Sequence, residues 1–352
     1  MTNQKSSVGQ LDLNQTTDNI LQIIEQDREK EIVARRFGLK DRKETLEQIG
    51  GFLDITRERV RQLEKAIIIR LKIAAEDKKI TSLAQAEKVI IRNLIELGRI
   101  ARVDDLTDKI LGRKSTAIEQ SQVAFIAEIS SQLTTIDEND NYHYAVGIMD
   151  YGDKKEVKKR IDDLLDFIKK GKKPLTLEEL DAKFDYEHPS HIEALAKVSK
   201  RLATLNGIWG LVRWPEVNPK NIKDKIYVIL NQAKKPMHFS EINQAIKTSD
   251  FKRKDVTKQA VHNELIKDNR FVLIGRGIYA LSEWGYKQGT VSEVIADVLK
   301  NSKEPMNRDD IVKQVLKRRQ VKETTVLLNL QSRPEFKRVA KGTYIYQAPE
   351  KQ

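Results

Sequence analysis

The chain repeats one short pattern along most of its length. Three stretches, KKPLTLEEL, KKPMHFSEI and KEPMNRDDI, each place a proline and then a leucine or methionine at a fixed distance before an acidic and an aliphatic residue. A weaker copy, GRIARVDDL, ends at Asp105 and Leu106. Internal repeats of this kind decide the architecture of a chain. We expect each proline to start a helical element, with the acidic residue early in a helix, where the helix dipole favours negative charge.

The ends of the copies agree as well. The segment RFVLIGRGIYAL matches EFKRVAKGTYIY at a constant shift of 65 residues, which aligns Gly277 with Gly342. Alternating apolar residues around a glycine-containing turn predict a β-hairpin. The segments NGIWGLVRW and TTIDENDNYHYAV end the other two copies in the same manner.

The segment ahead of the copies predicts two helices joined by a tight turn. Apolar residues between 17 and 37 recur at helical spacing and FGL closes that segment at Gly38, so a helix or a pair of helices comes first. Thr45, with Gln48 three residues later, predicts the start of a helix of about two turns. After GGFLD, Thr56 caps a second helix. Its core side carries Val60, Leu63, Ile67 and Leu71.

Each of the four repeated copies is predicted to consist of three helices followed by a hairpin, over about 60 to 70 residues. This is the layout of a winged helix. We predict a mainly α chain with small β-hairpins, an α+β fold in which an N-terminal helix-turn-helix precedes an array of winged-helix domains. The predicted boundaries are a disordered N-terminus at 1–16, the helix-turn-helix at 17–78, a degenerate winged helix at 82–148, and winged helices at 155–215, 222–286 and 289–348.

The opposite side of the second helix carries charged and polar groups, namely Arg57, Glu58, Arg61, Gln62 and Lys65. Arg can hold O6 and N7 of guanine, Glu can accept from N4 of cytosine, and Gln can pair with adenine. Helix-turn-helix proteins place such groups near the N-terminus of their second helix. The alternative is a solvated surface held by its own side-chain pairs, because Glu58 and Gln62 are four residues apart and Arg61 and Glu64 are three apart.

The residues EIVARRFGL and TLEQIGGFLDITRERVRQLEKAIIIRL resemble region 4 of the sigma-70 family of bacterial transcription initiation factors. The resemblance covers about residues 31 to 71, and TRERVRQLEKA is highly specific to it. It implies that the second helix reads the upstream promoter element in the major groove and that the domain also packs against the flap of the polymerase β subunit. Many members have glycine where this chain has Asp54. By position, Arg57, Glu58 and Gln62 would contact bases, and Arg59, Arg61 and Lys65 would contact phosphates or pack.

Aromatic residues are scarce ahead of this segment. A complete sigma factor needs an upstream region with several aromatic side chains, because base–aromatic stacking carries the binding of a melted strand. The chain has no aromatic residue before Phe37. We therefore expect that it does not open a promoter alone.

The third copy, DVTKQAVHNELIKDNRFVLIGRGIYALSEWG, resembles the HARE-type winged helix of the delta subunit of Gram-positive RNA polymerase and of some restriction and chromatin proteins. The fourth copy resembles it less. The resemblance implies contacts by the third helix, about residues 256–267, and by the hairpin tip, so that Lys254, Lys258 and Arg276 are candidate DNA contacts. The alternative is that these units bind protein or space other domains, because several motif residues serve the core: Phe271, Ile274, Tyr279 and Leu281.

Composition excludes several classes of chemistry. The chain has 64 Lys and Arg against 52 Asp and Glu, a net charge of +12 that favours polyanionic partners. It has no cysteine, so disulfides, thiol catalysis and cysteine-ligated metal sites are excluded. The histidine pair in HPSH has no third ligand nearby, EELDAKFDYE fits a helix surface, and IDENDNYHY fits a loop. No sequence motif of a nucleotide-binding loop, a nucleophile elbow or a zinc protease appears. We predict no enzyme, no cofactor, no metal and no small-molecule substrate.

The remaining expectations concern location and partners. No apolar run approaches the roughly 20 residues that span a bilayer, and MTNQKSSVGQ lacks the apolar core of a signal peptide. We expect a cytoplasmic, nucleoid-associated protein that binds double-stranded DNA and the RNA polymerase core through its β flap, and no membrane.

Three hypotheses follow from these residues. The first is a sigma-related transcription regulator, which would lose sequence-selective binding on Arg57→Ala and Gln62→Ala. The second is a DNA-architectural scaffold, which would bind all sequences uniformly and with steep salt dependence. The third is the DNA-recognition component of a restriction or defence system. A neighbouring gene that encodes a nuclease would support it.

Overall fold

A computed structural model describes residues 11–184, 186, 188–251, 253–286, 289–302, 304–319 and 321–347. In these residues the chain forms sixteen α-helices and twelve β-strands. The strands make four separate three-stranded antiparallel sheets, so the fold is mainly α with small β-sheets, as predicted. The chain divides into two compact parts, residues 1–213 and residues 214–352.

Four helices build the N-terminal segment: α1 (Leu13–Gln22), α2 (Asp27–Phe37), α3 (Leu46–Leu53) and α4 (Arg57–Glu76). The prediction of disorder over 1–16 is wrong from Asp12 onward. The Asp12 side chain caps α1 by accepting from the backbone N–H of Gln15 at 2.9 Å, and Leu13 is buried at once. Residues 1–10 lie outside the described residues.

The predicted helix ends in this segment are confirmed. Gly38 ends α2 in the left-handed conformation with φ of 67°. Thr45 and Gln48 form both hydrogen bonds of a capping box at the start of α3, at 2.9 and 3.2 Å. Thr56 accepts from the backbone N–H of Arg59 at 3.2 Å and starts α4. Local hydrogen-bonding chemistry therefore fixes where both helices of the helix-turn-helix begin.

Four repeats follow, and each has the order helix, short strand, helix, helix, two-stranded hairpin. The first repeat contains α5 (Thr81–Leu97), β1 (Ile100–Arg102), α6 (Val103–Leu111), α7 (Ala117–Ile129), β2 (Leu133–Ile136) and β3 (Ala145–Ile148). The second contains α8 (Lys154–Gly171), β4 (Leu175–Thr176), α9 (Leu177–Phe184), α10 (Pro189–Val198), β5 (Leu202–Leu205) and β6 (Ile208–Leu211).

The third repeat contains α11 (Ile222–Ala233), β7 (Met237–His238), α12 (Phe239–Thr248), α13 (Lys258–Lys267), β8 (Phe271–Gly275) and β9 (Ile278–Leu281). The fourth contains α14 (Val291–Asn301), β10 (Met306–Asn307), α15 (Arg308–Arg318), α16 (Glu323–Ser332), β11 (Phe336–Ala340) and β12 (Thr343–Tyr346). This order of elements is that of a winged helix. The domain boundaries predicted above stay a prediction, and residue 348 of the last one lies outside the described residues.

The sheets share one topology, in which the last strand lies between the other two. The hairpins of the third and fourth repeats also share an irregularity. Their pairing shifts between Leu273 and Gly275 in one, and between Arg338 and Ala340 in the other, again 65 residues apart. The predicted alignment of these hairpins therefore extends to the position of a β-bulge.

The role predicted for the repeated prolines is wrong in one respect. Each proline precedes a two-residue strand, and the helix begins only after it, as in Pro236, β7 and α12. In β7, Met237 pairs with Tyr279 and His238 with Ile278 of the hairpin. A strand of two residues carries no periodicity, so the pattern could not separate it from the helix that follows.

The third helix of the first repeat packs inside the N-terminal compact part. Helix α7 contacts α1, α2 and α4, and the ring of Phe125 lies 5.0 Å from the ring of Phe37. The amide of Gln122 donates to the side-chain oxygen of Asn14 at 2.7 Å. Most of α7 is buried, including Phe125. The surface with which a winged helix can meet DNA is therefore occupied here by the helix-turn-helix.

The third helix of the second repeat is covered in a similar way. Helix α10 packs against β1 and α5 of the first repeat. A side chain at Gly98, at the end of α5, would lie 2.4 Å from the carbonyl oxygen of Ser190. Tyr142 of the first repeat forms a β-bridge with Ser199, just after α10. Within residues 1–213, both third helices thus serve packing between neighbouring units.

The third helices of the last two repeats keep exposed faces. In α13, Lys258, Gln259 and Ile266 are exposed while Val261 and Leu265 are buried. In the same repeat, the four residues predicted to serve the core are confirmed as buried: Phe271, Ile274, Tyr279 and Leu281.

Candidate nucleic-acid interface

The turn between α3 and α4 is held by a close approach of two backbones. Gly50 is buried in α3, and a Cβ atom there would lie 2.6 Å from the carbonyl oxygen of Ile55. The N–H of Ile55 donates to the carbonyl of Gly50 at 3.0 Å. Asp54 takes the left-handed conformation, with φ of 55° and ψ of 48°. This conformation explains a preference for glycine at the turn, since glycine adopts it without steric strain.

A small apolar core fixes the angle between the helices. Ile32, Ile49 and Val60, one from each of α2, α3 and α4, are fully buried together. Each such side chain contributes about 1.5–3 kcal/mol by leaving water. Leu46, Leu53, Ile55 and Leu63 pack around them. The core side predicted for α4 is therefore confirmed, with Leu63 only partly buried.

The opposite side of α4 is open to solvent. All six candidate contact residues are exposed: Arg57, Glu58, Arg59, Arg61, Gln62 and Lys65. They occupy the first half of α4, directly after the Thr56 cap. The structure thus brings this candidate set onto one helix end, while the role of each side chain stays a prediction.

Glu58 organises part of this surface. The Arg61 guanidinium donates twice to its carboxylate, at 2.9 and 2.7 Å, and the Gln62 amide donates at 3.4 Å. The hydrogen bond from Arg61 is the main cause that lowers the pKa of the Glu58 carboxyl below its ordinary value. The expected Glu58–Gln62 pair is therefore present, but Arg61 pairs with Glu58 and not with Glu64.

Glu64 instead belongs to a set of ion pairs that orient α4. Arg36 of α2 donates to it at 3.1 Å, and Arg70 of α4 donates to Glu29 of α2 at 2.6 Å. These pairs join residues 28 and 41 positions apart. Spacing within a helix gives no signal for such contacts, so the sequence interpretation missed these residues.

The second half of α4 meets the first repeat. Lys72 donates to Glu128 of α7 at 2.9 Å, and Ile67, Leu71 and Ala74 are buried. The same helix that carries the exposed polar set is therefore also anchored to the neighbouring repeat.

An exposed aromatic side chain lies on α3. Phe52 exposes 58% of its surface, and the Arg35 guanidinium lies over its ring at 3.6 Å. Arg28 donates to the carbonyl of Leu53 beside it at 2.6 Å. Aromatic and arginine side chains are enriched where proteins contact one another. The sequence interpretation did not single out Phe52.

The candidate residues of the third repeat lie on a helix, in a hairpin turn and in a loop. Lys258 is the first residue of α13, which Thr257 caps, so the helix begins two residues later than predicted. Arg276 forms the two-residue hairpin turn with Gly277, whose φ is 67°. Lys254 is exposed in the loop before α13 and donates to the carbonyl of Ser249 at 3.1 Å.

The fourth repeat carries basic residues that the sequence interpretation missed. Its third helix, α16, contains no Lys or Arg, but Lys337 and Arg338 of β11 and Lys341 of the turn are exposed. The alignment of its hairpin with that of the third repeat could have found them, because it places Lys341 opposite Arg276.

Two further observations bear on chemistry. Within the described ranges, no group of three or more acidic or histidine side chains could hold a metal ion. The loop IDENDNYHY is shaped by Asn139, whose side chain accepts from two backbone N–H groups. The stretch EELDAKFDYE runs along α9, and its residues 185 and 187 lie outside the described residues.

No helix in the described part of the chain has the length and apolar character to cross a membrane.

The fold and this surface define a class: a helix-turn-helix with a capped, basic second helix, followed by repeats of winged-helix order. Comparison with known families adds that the family described as Sigma-70, region 4 matches residues 26–72. The match begins just before α2 and ends within α4. This segment is a DNA-binding helix-turn-helix of the kind found in sigma-like transcription regulators, a regulatory and not a catalytic domain.

Proposed function

We propose that the protein is a bacterial sigma-related transcription regulator in which α4 enters the major groove of promoter DNA. The observation that carries the proposal is the exposed set from Arg57 to Lys65 on a capped helix within the segment similar to region 4. The net charge of +12 supports a polyanionic partner. Such a protein works on the nucleoid.

The residues take separate roles in this proposal. Arg57 holds a guanine by two hydrogen bonds and Gln62 pairs with an adenine, while Arg59 and Lys65 contact phosphates. Glu58 accepts from a cytosine and holds Arg61 until a phosphate approaches, because its carboxylate already binds that guanidinium. The ion pair therefore keeps Arg61 oriented before DNA arrives.

Selection of preferred duplexes from a random pool, followed by titration of variants, tests the proposal. Gln62→Ala and Arg57→Ala are expected to relax the preference at one base pair each, with a loss of about 1–3 kcal/mol on the preferred sequence. Arg59→Ala is the contrasting variant, because loss of a phosphate contact weakens binding on every sequence equally. Equal loss on all duplexes for all three variants would favour the architectural scaffold instead.

A second proposed partner is the RNA polymerase core, at its β flap. Support comes from the exposed Phe52 ring with Arg35 stacked on it. Capture of the tagged protein from its host after nuclease treatment, followed by mass spectrometry, tests this. The β and β′ subunits are expected to remain bound to the wild type and to be lost with Phe52→Ala. Ile95→Ala is the matched control, because Ile95 on α5 is also 58% exposed. Loss of both subunits from the wild type on nuclease treatment would refute a direct contact.

The third repeat has its own place in the proposal. Its resemblance to HARE-type winged helices, together with the exposure of Lys254, Lys258 and Arg276, supports a second contact with DNA or polymerase. A triple substitution of these residues to Gln is expected to weaken duplex binding without changing which sequence is preferred. A shift in preference would contradict a phosphate-contact role.

A further inference from the structure

A groove lies beside α4 within the N-terminal compact part. It encloses about 850 Å³. One side consists of α4 with the end of α2 and Lys43, and the other of α7, β2, the residues on either side of β3 and the first turn of α8. Arg61 and Lys65 line the groove and also belong to the exposed face of α4. The groove therefore continues the candidate DNA-reading surface toward the first repeat.

The charges in the groove are unbalanced. Its cationic side chains are Arg36, Lys43, Arg61, Lys65, Lys72, Lys154 and Lys155. Its carboxylates are Glu64, Glu128, Asp137 and Asp153. Cations therefore outnumber carboxylates by three among the residues that line the groove.

The carboxylates are already engaged. Three form ion pairs with cations of the groove itself: Arg36 with Glu64, Lys72 with Glu128, and Lys154 with Asp137. The fourth, Asp153, caps α8 by accepting from the backbone N–H groups of Lys155 and Glu156 at 2.7 and 2.9 Å. The charge of Asp153 also acts on Lys155, but the two side chains form no direct ion pair.

Among the described residues, three lysines of the groove form no direct ion pair. Over the described ranges, no carboxylate lies within ion-pair distance of Lys43, Lys65 or Lys155. The Lys43 ammonium lies 5.4 Å from the centre of the Tyr144 ring, and loss of hydration lowers the pKa of Lys43 more than the charge of Glu138 raises it. All three lysines are exposed, and exposed cations that no carboxylate binds directly favour the approach of a polyanion.

Apolar atoms complete the lining. Ile69 and Met149 expose 48% and 40% of their surfaces and line the groove, as do Ala124 and Ala127. The cations of the groove therefore lie among apolar side chains and two threonines, Thr134 and Thr135.

We propose that this groove holds the sugar–phosphate backbone of one DNA strand next to the bases that α4 reads, with Lys43, Lys65 and Lys155 as phosphate contacts. The inference rests on the proposed function, because it places the groove strand relative to a duplex bound at α4. The second repeat then contacts DNA through the start of α8, and the first repeat through its sheet. Its third helix, α7, remains packed against the helix-turn-helix.

Salt dependence tests the proposal on the full chain. The double variant Lys43→Gln/Lys155→Gln is titrated with the selected duplex between about 50 and 200 mM salt. Each lost phosphate contact lowers the slope of log K against log salt by about 0.9, so the double variant is expected to lose about 1.8. The sequence preference is expected to stay unchanged. Hydroxyl-radical footprinting should show loss of protection on one strand, beside the bases whose identity matters.

The matched control is Lys169→Gln/Lys170→Gln. These residues are exposed in the last turn of α8, outside the groove, and the change removes the same two charges. The control is expected to keep the wild-type slope and footprint.

The possible outcomes separate the two proposals. If Gln62→Ala relaxes the preference but the groove variant keeps the wild-type slope and footprint, the groove proposal is overturned and the proposed function stands. A control that loses as much slope as the groove variant also overturns the groove, since any surface lysine would then suffice. If the wild type shows no sequence preference, the proposed function fails and takes the groove proposal with it.

Discussion

Two adjacent glycines in α3 allow a sharp test of how the turn is built. Gly50 lies against the turn, whereas a side chain at Gly51 would have no heavy atom within 4 Å. Replacement of either glycine by alanine gains up to about 1 kcal/mol of helix propensity. Only at Gly50 does the new methyl group meet another atom, the carbonyl oxygen of Ile55 at 2.6 Å.

The expected cost at Gly50 follows from that distance. Ordinary contact between a Cβ atom and another heavy atom begins at 3.4 Å. The carbonyl oxygen of Ile55 must therefore move away from the new Cβ atom by about 0.8 Å. Such overpacking costs about 1–3 kcal/mol, and the 3.0 Å hydrogen bond from Ile55 to Gly50 is stretched at a further cost of about 1 kcal/mol. We expect Gly50→Ala to destabilise the helix-turn-helix by about 1–3 kcal/mol and Gly51→Ala to stabilise it slightly.

Hydrogen exchange measures this locally, which matters because a chain of several units need not unfold in one step. Peptides covering residues 45–71 should exchange at least about 10 times faster in Gly50→Ala than in Gly51→Ala, since about 1.4 kcal/mol corresponds to tenfold. The fourth repeat serves as an internal reference. Equal protection of the two variants would refute the close approach of the turn to α3.

Three further predictions concern packing, backbone and charge. Asp54→Val should cost about 1–2 kcal/mol, because a branched side chain tolerates the left-handed conformation poorly, whereas Asp54→Gly should preserve both stability and DNA binding in parallel exchange and binding assays. Phe125→Ala should cost about 3–5 kcal/mol and speed exchange in α2 as well as α7, while Ile118→Ala, at a partly exposed site on α7, should not. The hydrogen bonds to Glu119, first from Arg113 and then from Thr116, lower the pKa of its carboxyl to about 2. Its stabilising effect on the start of α7 should therefore be complete above the unfolded pKa of about 4.3 and should fade as the pH falls toward 2; NMR titration of that carboxyl checks this, and a midpoint near 4.3 would contradict it.

Local signals in the sequence were sufficient for much of the helix-turn-helix. Thr45, Gln48 and Thr56 predicted the starts of α3 and α4, because capping depends on hydrogen bonds within four residues. The repeat with a shift of 65 residues likewise placed both hairpins. Features set by neighbours along the chain could thus be predicted.

Contacts between distant residues could not be predicted in this way. The Arg36–Glu64 pair and the groove depend on which helices meet in space, and no spacing rule contains that information. The burial of α7 did have a signal that the interpretation missed. Five apolar residues run from Val123 to Ala127, and a helix apolar on every side is packed on every side.

The packing of α4 against α7 limits which substitutions in α4 the fold tolerates. Helix α4 packs against α2 and α3 and also against α7 of the first repeat. We therefore expect the reading surface and the first repeat to unfold together, even though the family match ends at residue 72. Ile67 and Leu71 are buried in the half of α4 that meets the first repeat, so we expect substitutions there to disturb this packing. Exchange of this helix-turn-helix for that of another regulator would therefore bring a packing mismatch along with the new specificity.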